Sequence, residues 1–311
     1  MALYVPTNTS SINSQRRLNS ATKALDTTFQ HLASGLRINS ARDDAAGLQI
    51  SDRLTSQING LKQGNRNAND GIALCQTMEG ALDETTNMLQ RIRTLAIQSA
   101  NGTNTDIDRK SIQQEVTALS EEITRIACKT TFGGQKCLAG PAGLLAPSGV
   151  ITFHVGAYEN DTISLSLTAG FTLAGICKDP VIGTAIDTSA SSLSTTTTGL
   201  ATPTTDGIVQ FSVYTQATAE LTIAAVDRII NVVDTHRAAL GALQNRMEST
   251  IRNQEVTHEN VSDARSRIRD ADYAEEAANL SAQTITQQAA TSVLTQANQR
   301  PQIALNLLGS G

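Results

Sequence analysis

LASGLRINSARDDAAGLQISDRLTSQINGL, residues 32–61, holds the end of one helix, an irregular crossing and the start of another. Upstream, Leu18, Ala21, Leu25, Phe29, Leu32 and Leu36 recur at steps of three and four, the period of an amphipathic helix. Gly35 supplies its stop, because glycine takes the left-handed conformation without a Cβ clash. Ser40-Ala41-Arg42-Asp43 has capping-box spacing, a hydroxyl followed three residues later by an acid. Asp43 and Asp44 suit the positive end of a helix dipole, so they are expected in the first turn of the next helix. The stretch predicts a helix–loop–helix corner.

Working outward, both chain ends carry long helical patterns and the middle carries none. Residues 1 to about 36 form a first arm whose charges are one-sided. In the first 42 residues Asp26 is the only acid, against Arg16, Arg17, Lys23, Arg37 and Arg42. From Asp44 to Ala100, Leu54, Ile58, Leu61, Ala68, Ile72, Cys75, Leu82, Leu89 and Ala96 keep one alternating four–three register. Periodicity sustained that far predicts a coiled-coil helix. Asn101-Gly102 breaks it, and Ile112, Val116, Leu119, Ile123 and Ile126 mark a third helix over Ile107 to Cys128, folding back along the second.

Around Thr130 the texture changes to glycine- and proline-punctuated turns. Ile151, Phe153 and Val155 alternate with polar residues, as do Ile163, Leu165 and Leu167, which predicts a β-hairpin with His154 on its solvent side. Residues 171–215 are the least structured by pattern, and Thr188 to Thr205 is nearly all Ser, Thr, Ala and Gly. Residues 171–215 are expected to form a surface loop or small lobe. Helical pattern returns at Thr218, with Ala225, Ile229, Val232, His236, Leu240, Leu243, Met247 and Ile251 in step, continuing through Val261 and Ile268. His236 on that stripe reads as a packed histidine. The tail from Ala277 has one charge, Arg300, and a small-residue stripe of Ala282, Ile285, Ala289, Val293 and Ala297. Such an arm is marginal alone and needs a partner.

Composition supports a helical assembly over a thick globular core. There is no Trp, with four Tyr and five Phe in 311 residues, and the apolar fraction is mostly small aliphatic. The net charge of −5 argues against a nucleic-acid partner. No run is long and apolar enough to span a bilayer, and MALYVPTNTSSINSQRR lacks the apolar core of a secretory signal. The expectation is a cytoplasmic protein, or one exported without a cleaved signal. Cys75, Cys128, Cys137 and Cys177 make no C-x-x-C pair, so neither a zinc site nor a disulfide framework follows. Cys75 falls on the helical stripe and is expected to be a buried free thiol.

The search for catalytic chemistry ends in exclusions. His258-Glu259-Asn260-Val261-Ser262 begins like H-E-x-x-H but places serine where the second metal-binding histidine is required. No phosphate-binding glycine loop, dinucleotide fingerprint or nucleophile elbow occurs. No catalytic residue, metal site or cofactor is expected, and the chain reads as a non-enzyme.

Four further motifs complete the pattern: LQRIRTLAIQSANGTN (89–104), DRKSIQQEVTALSEEITRIA (108–127), the ALGALQNRMEST and ARSRIRDADYAEE segments that begin at Ala239 and Ala264, and the tail QANQRPQIALNLLG (296–309). Together with residues 32–61 these closely resemble bacterial flagellin over roughly residues 1–170 and 215–311. The resemblance implies a mainly α fold, a long antiparallel coiled-coil helix bundle with a small β-hairpin region, whose N- and C-terminal helical arms pair. It implies three regions: residues 1–43 with 271–311 as the terminal arms of a filament core, 44–170 with 216–270 as a helical domain bearing the hairpin, and 171–215 as a short variable surface segment in place of outer domains.

The implied function is structural: a subunit exported by the flagellar type III route without a cleaved signal and polymerised into the extracellular filament used for swimming. Flagellin arms are disordered in the monomer and fold on assembly. The implied partners are other copies of the chain, an export chaperone that binds the C-terminal arm, and the filament cap and hook-junction proteins. The animal Toll-like receptor for flagellin completes the set. Leu18, Leu25, Phe29, Leu32, Ile285, Val293, Ile303, Leu305, Leu307 and Leu308 are the expected filament-core assembly residues. Gln90, Arg91, Leu95 and Glu115 match the receptor-recognition positions, with Thr94 departing from the acid found in strongly recognised members. Ser189, Ser191, Ser192, Ser194, Thr195, Thr196, Thr197 and Thr198 are candidate O-glycosylation sites by family analogy. The alternative is a hook–filament junction protein, which shares related arms. A flagellin carrying a peptidase is disfavoured by Ser262 and by the short middle.

Overall fold

Asn8 opens helix α1 (Thr9–Ser34) by accepting the Ser11 N–H at 3.1 Å, and Gly35 closes it at a φ of 70°. That positive φ is why glycine stands at the stop, as expected. The structure is a computed structural model that describes residues 7–139, 150–166, 170–173, 200–201 and 210–308, without the side chains of 200–201 and 300–308. Helix α2 (Ala45–Ala100) starts later than the sequence suggests. Asp44 is its cap, with Oδ1 accepting the N–H groups of Ala46 at 3.0 Å and Gly47 at 2.9 Å.

The capping box expected at Ser40–Asp43 is therefore corrected. The Asp43 carboxylate accepts from the backbone N–H groups of Ser40 at 2.9 Å and Asn39 at 3.2 Å, closing a turn ahead of the helix. The Ser40 N–H also holds the exposed Asp43 carboxyl below the usual carboxylate range. Ser40 lies too far upstream of Ala45 to reach its orphan N–H groups. No acid stands in the first turn of α2.

Helix α3 (Asp106–Lys129) carries the genuine box: Thr105 and Asp108 cap each other's backbone N–H groups. Among the described residues three small antiparallel pairs follow, β1 (Thr131–Phe132) with β2 (Gln135–Lys136), β3 (Val150–His154) with β4 (Thr162–Ser166), and β5 (Leu200–Ala201) with β6 (Gln210–Phe211). The predicted hairpin is the middle pair, in register Ile151↔Leu165 and Phe153↔Ile163. Its apolar side is the expected one, with Ile163 and Leu165 buried and His154 exposed. Leu167 lies outside the described residues. Helices α4 (Gln216–Arg269) and α5 (Tyr273–Leu308) complete the chain.

Two compact units result, Met1–Asn59 with Thr257–Gly311, and Gly60–Val256. In the second, α3 and the antiparallel α2 and α4 share a core in which Met78, Leu82, Leu89, Ile92, Val116, Ile123, Val226, Ile229, Val233 and Leu240 are fully buried. The expected α2 stripe is there, but widened by Leu74, Met78, Ile92 and Leu95 on the adjoining face. A single stripe meets one neighbour, and α2 within this unit meets more than one. Arg93–Asp227 at 2.6 Å, Arg237–Asp83 at 2.9 Å and Gln244–Glu79 at 3.0 Å fix the α2–α4 register along the rim.

The hairpin docks where α2 carries Gly64. A Cβ there would run into the Val155 carbonyl, so only glycine lets the two backbones come this close. The Gln254 amide donates to the same carbonyl, and Asn67 donates to His154 O at 2.8 Å.

The segment read as a surface loop is core at its two ends. Phe171 is buried and meets His236 edge-on, ring centroids 5.1 Å apart, which makes His236 a packed histidine. Leu173, Phe211 and Val213 are fully buried. The short strand around Phe211 is held by side chains: Gln113 donates to Phe211 O at 2.8 Å and accepts from Val213 N–H, and Ser99 and Thr222 donate to Val213 O and Ser212 O. Phe211 and Val213 alternate with Gln210 and Ser212, a short strand pattern that the loop reading of this segment passed over.

Candidate assembly face of the terminal helices

In the unit Met1–Asn59 with Thr257–Gly311, α1 and α5 lie antiparallel. Asn8 donates to Ala297 O at 2.8 Å, Thr28 to Gln283 Oε1 at 3.0 Å, and His31 Nδ1 meets Glu276 Oε1 at 2.8 Å. The N- and C-terminal arms therefore pair, as the resemblance implied. The turn between the arms and their flanking helices is tied by backbone as well. Arg37 and Ile38 N–H both reach Arg269 O, and Ala271 N–H reaches Gly35 O at 3.0 Å. Ile38, nearly fully buried, plugs this corner.

The α1 side of the seam is Ser14, Leu18, Ala21, Leu25, Thr28 and Leu32, a four–three heptad with Ser14, Ala21 and Thr28 buried. Leu18, Leu25 and Leu32 are half-buried on the seam. Phe29, on the same sequence stripe, is not: it is 51% exposed, and Thr28 takes its place in the seam. Close helix approach selects the small residue, and the ring is turned out by one position, about 100° around the helix.

The tail stripe is corrected in the same way. Leu280, Gln283, Gln287, Ala290, Leu294 and Ala297 face α1, whereas Ala282 and Ala289 are exposed, as are Ile285 at 67% and Val293 at 53%. Only Ala297 belongs to both sets. The pair consequently has two characters. The fully buried positions of its inner seam are small or polar, with half-buried leucines between them, and its outer surface shows Ile12, Phe29, Ile285 and Val293 to solvent. Helix α5 reaches Leu308, but the side chains of Ile303, Leu305, Leu307 and Leu308 lie outside the described ones.

A second surface lies on the other unit. Arg91 on α2 pairs with Glu115 on α3 at 2.7 Å, both exposed, and Gln90 is exposed beside them. Such an exposed pair adds little stability. Leu95 is 3% exposed and points into the helical core, so these four residues do not form one surface. Ser189, Ser191, Ser192, Ser194 and Thr195 to Thr198 fall outside the described residues, as does Cys177. Cys75 is a free, fully buried thiol as expected, and Cys137 is a second that the sequence did not mark.

Sequence reasoning also missed Arg109. Its buried guanidinium donates to the carbonyls of Ser99, Asn101 and Asn104, satisfying the end of α2. Nothing in the local pattern separates such an arginine from a surface one.

Two family patterns match the chain: the bacterial flagellin N-terminal helical region over residues 5–142 and the bacterial flagellin C-terminal helical region over 223–308. Flagellin B of Vibrio cholerae is 39% identical across 99% of the chain and the whole of that relative. The chain belongs to the bacterial flagellin family. Polar flagellin F of Vibrio parahaemolyticus, 35% identical, also matches 99% of the chain and its own full length. A putative flagellar hook-associated protein from Vibrio parahaemolyticus shares the fold, with a TM-score of 0.52 at 16% identity over 73% of this chain and all of that one. Flagellins are structural, non-enzymatic subunits of the extracellular flagellar filament, and the helical fold with paired arms is the one expected of the family.

Proposed function

We propose that this flagellin passes through the flagellar type III route without a cleaved signal, adds to the growing filament, and serves swimming motility. The supporting observation is the two-faced arm pair. Its seam is satisfied within one chain, while Ile12, Phe29, Ile285 and Val293 remain uncovered on the outside. In a filament, neighbouring copies bury that face. Residues 1–43 with 271–311 then form the filament core, 44–170 with 216–270 surround it, and 171–215, anchored by its buried ends, turns its middle outward, carrying any O-linked sugar on Ser189 to Thr198. Before export, a chaperone covers the C-terminal arm, and the cap and hook-junction proteins meet the same arms at the filament ends. For the animal Toll-like receptor, Gln90, Arg91 and Glu115 supply the contact surface, and Leu95 supports it from below.

Hydrogen exchange on monomer and salted-out filament tests the assembly reading, with negative-stain microscopy confirming filaments. Residues 9–34 and 273–299 should exchange freely in the monomer and become protected on polymerisation. Equal slow exchange of both arms in the two forms overturns it.

A further inference from the structure

The sequence holds two Asn-Gly pairs, Asn59-Gly60 and Asn101-Gly102, and the fold treats them oppositely. The first lies inside α2, where the Gly60 N–H is committed to the helical carbonyl one turn back. Ala157 fills the place a Gly60 side chain would take. The second follows the last residue of α2, and both its residues are exposed. Among the described residues the Gly102 N–H makes no hydrogen bond, and nothing lies within 4 Å of the position a Cβ would occupy. The Asn101 side chain folds forward, with Oδ1 accepting the Thr103 N–H at 3.3 Å. That closes a side-chain turn across the Gly102 peptide. Glycine leaves the approach to its own nitrogen open because it has no Cβ to block it.

We propose that Asn101 is a site of spontaneous deamidation set in the α2–α3 turn. The Gly102 nitrogen, having lost its proton to solvent base, attacks Asn101 Cγ. A Cγ–N bond forms, the Cγ–Nδ2 bond breaks, and the side-chain nitrogen leaves as ammonia after taking a proton from water. The resulting succinimide adds one water at either carbonyl and opens to aspartate or isoaspartate, with no change of oxidation state. The product matters to this turn. A carboxylate appears at the C-terminus of α2, where the helix dipole disfavours negative charge. In the isoaspartate form the main chain runs through Cβ and Cγ, and the Asn101 carbonyl that accepts from Arg109 at 3.2 Å becomes a free carboxylate, just before the Asn104 carbonyl that accepts from the same group. The modification thus rebuilds this corner of the Arg109 clip while the internal pair at Asn59 is spared.

The test follows full-length chain in warm, mildly alkaline buffer by peptide mapping and isoaspartate-specific methyl transfer. Acidic and isoaspartyl products should accumulate at Asn101, faster at higher pH, with none at Asn59 in the folded chain. In denaturant the two pairs should convert at the same rate. Gly102→Ala has open space and no positive φ to contend with, so it should fold normally and lose the product. Conversion of Asn59 as fast as Asn101 in the folded chain overturns the proposal, as does an Asn101 rate unchanged by Gly102→Ala. An intact Asn101 under conditions that convert the unfolded pair overturns it equally.

Discussion

The helical core of Gly60–Val256 and the seam between α1 and α5 are both helix packing, built from different materials. The first fully buries Leu82, Leu89, Ile92, Ile229 and Leu240, with hydrogen-bonded polar groups such as Ser99, Gln113 and Thr222 buried among large aliphatics. The second buries Ser14, Ala21 and Thr28 and spends its larger residues on half-exposed seam positions or on the outside. A core of large aliphatics stabilises one chain; a seam of small and polar groups mainly specifies which helices meet and in what register. The arms of this chain therefore fit a part whose order comes from other copies, and the bundle one that holds its shape between assemblies.

The largest effect that could break this contrast comes from the tail. Removing residues 299–311 should abolish filament growth while leaving the bundle's thermal transition almost unchanged, because those residues belong to the other compact unit. Sedimentation after seeding and a calorimetric scan measure the two. A truncated chain that polymerises normally places the assembly surface elsewhere. Next in size is Leu82→Ala, which removes a fully buried side chain and should cost about 2–5 kcal/mol in denaturant unfolding. Leu18→Ala, on the half-buried seam, should cost clearly less in the monomer but weaken filaments. Equal losses from the two would show that the seam is an ordinary core.

This contrast also explains what was legible. The helix stop at Gly35, the run of α2 and α3, the alternation of the hairpin and the buried Cys75 all follow from local period and backbone preference. The seam did not, because hydrophobic period ranks Phe29 over Thr28 and Ile285 over Gln283, whereas the structure puts the smaller or polar neighbour inside. Thr28 lies one position and about 100° around the helix from Phe29, and Gln283 two positions from Ile285, so a shifted stripe satisfies the same spacing. The large residues point to a surface that a single chain does not fill. Arg109 and Gln113 were illegible for another reason. Their partners are main-chain carbonyls and N–H groups brought near by the fold, and such groups carry no sequence signal. Gln113 reaches across to a strand nearly a hundred residues away, and Asp44 displaced Ser40 as cap by geometry alone.

A smaller, pH-dependent effect sharpens the comparison, because all the cysteines lie between residues 60 and 256. Burial, with Glu79 adding to it, pushes the Cys75 thiol up from 9.0 to about 11, and burial raises Cys137 as well. The folded chain keeps these protons at a pH where the unfolded chain has released them. Stability is then complete below the ordinary thiol value and falls as pH climbs from about 9 towards about 11. Cys75→Ala should flatten much of that alkaline limb, with the remainder attributable to Cys137. Chemical unfolding at a series of pH values measures it, and an alkaline limb of unchanged slope in Cys75→Ala would assign the effect to other groups.

The smallest effect is expected from Thr28→Val, and it tests the seam most directly. The substitution keeps the branched shape and removes only the hydroxyl that donates to Gln283 Oε1 at 3.0 Å. Gln283 is half-buried, so its oxygen can turn to water, and the monomer should lose no more than about 1 kcal/mol. Unfolding of the Gly60–Val256 bundle should not register the change. What should change is specificity: without the Thr28–Gln283 pair, the arms have one fewer polar layer opposing a slipped or reversed alignment. Filaments of the variant should form but dissociate at lower temperature, with residues 9–34 showing the largest rise in hydrogen exchange. A bundle transition shifted as far as in Leu82→Ala would mean that Thr28 contributes to the stability of the whole chain, and the distinction between a stabilising core and a specifying seam would fail.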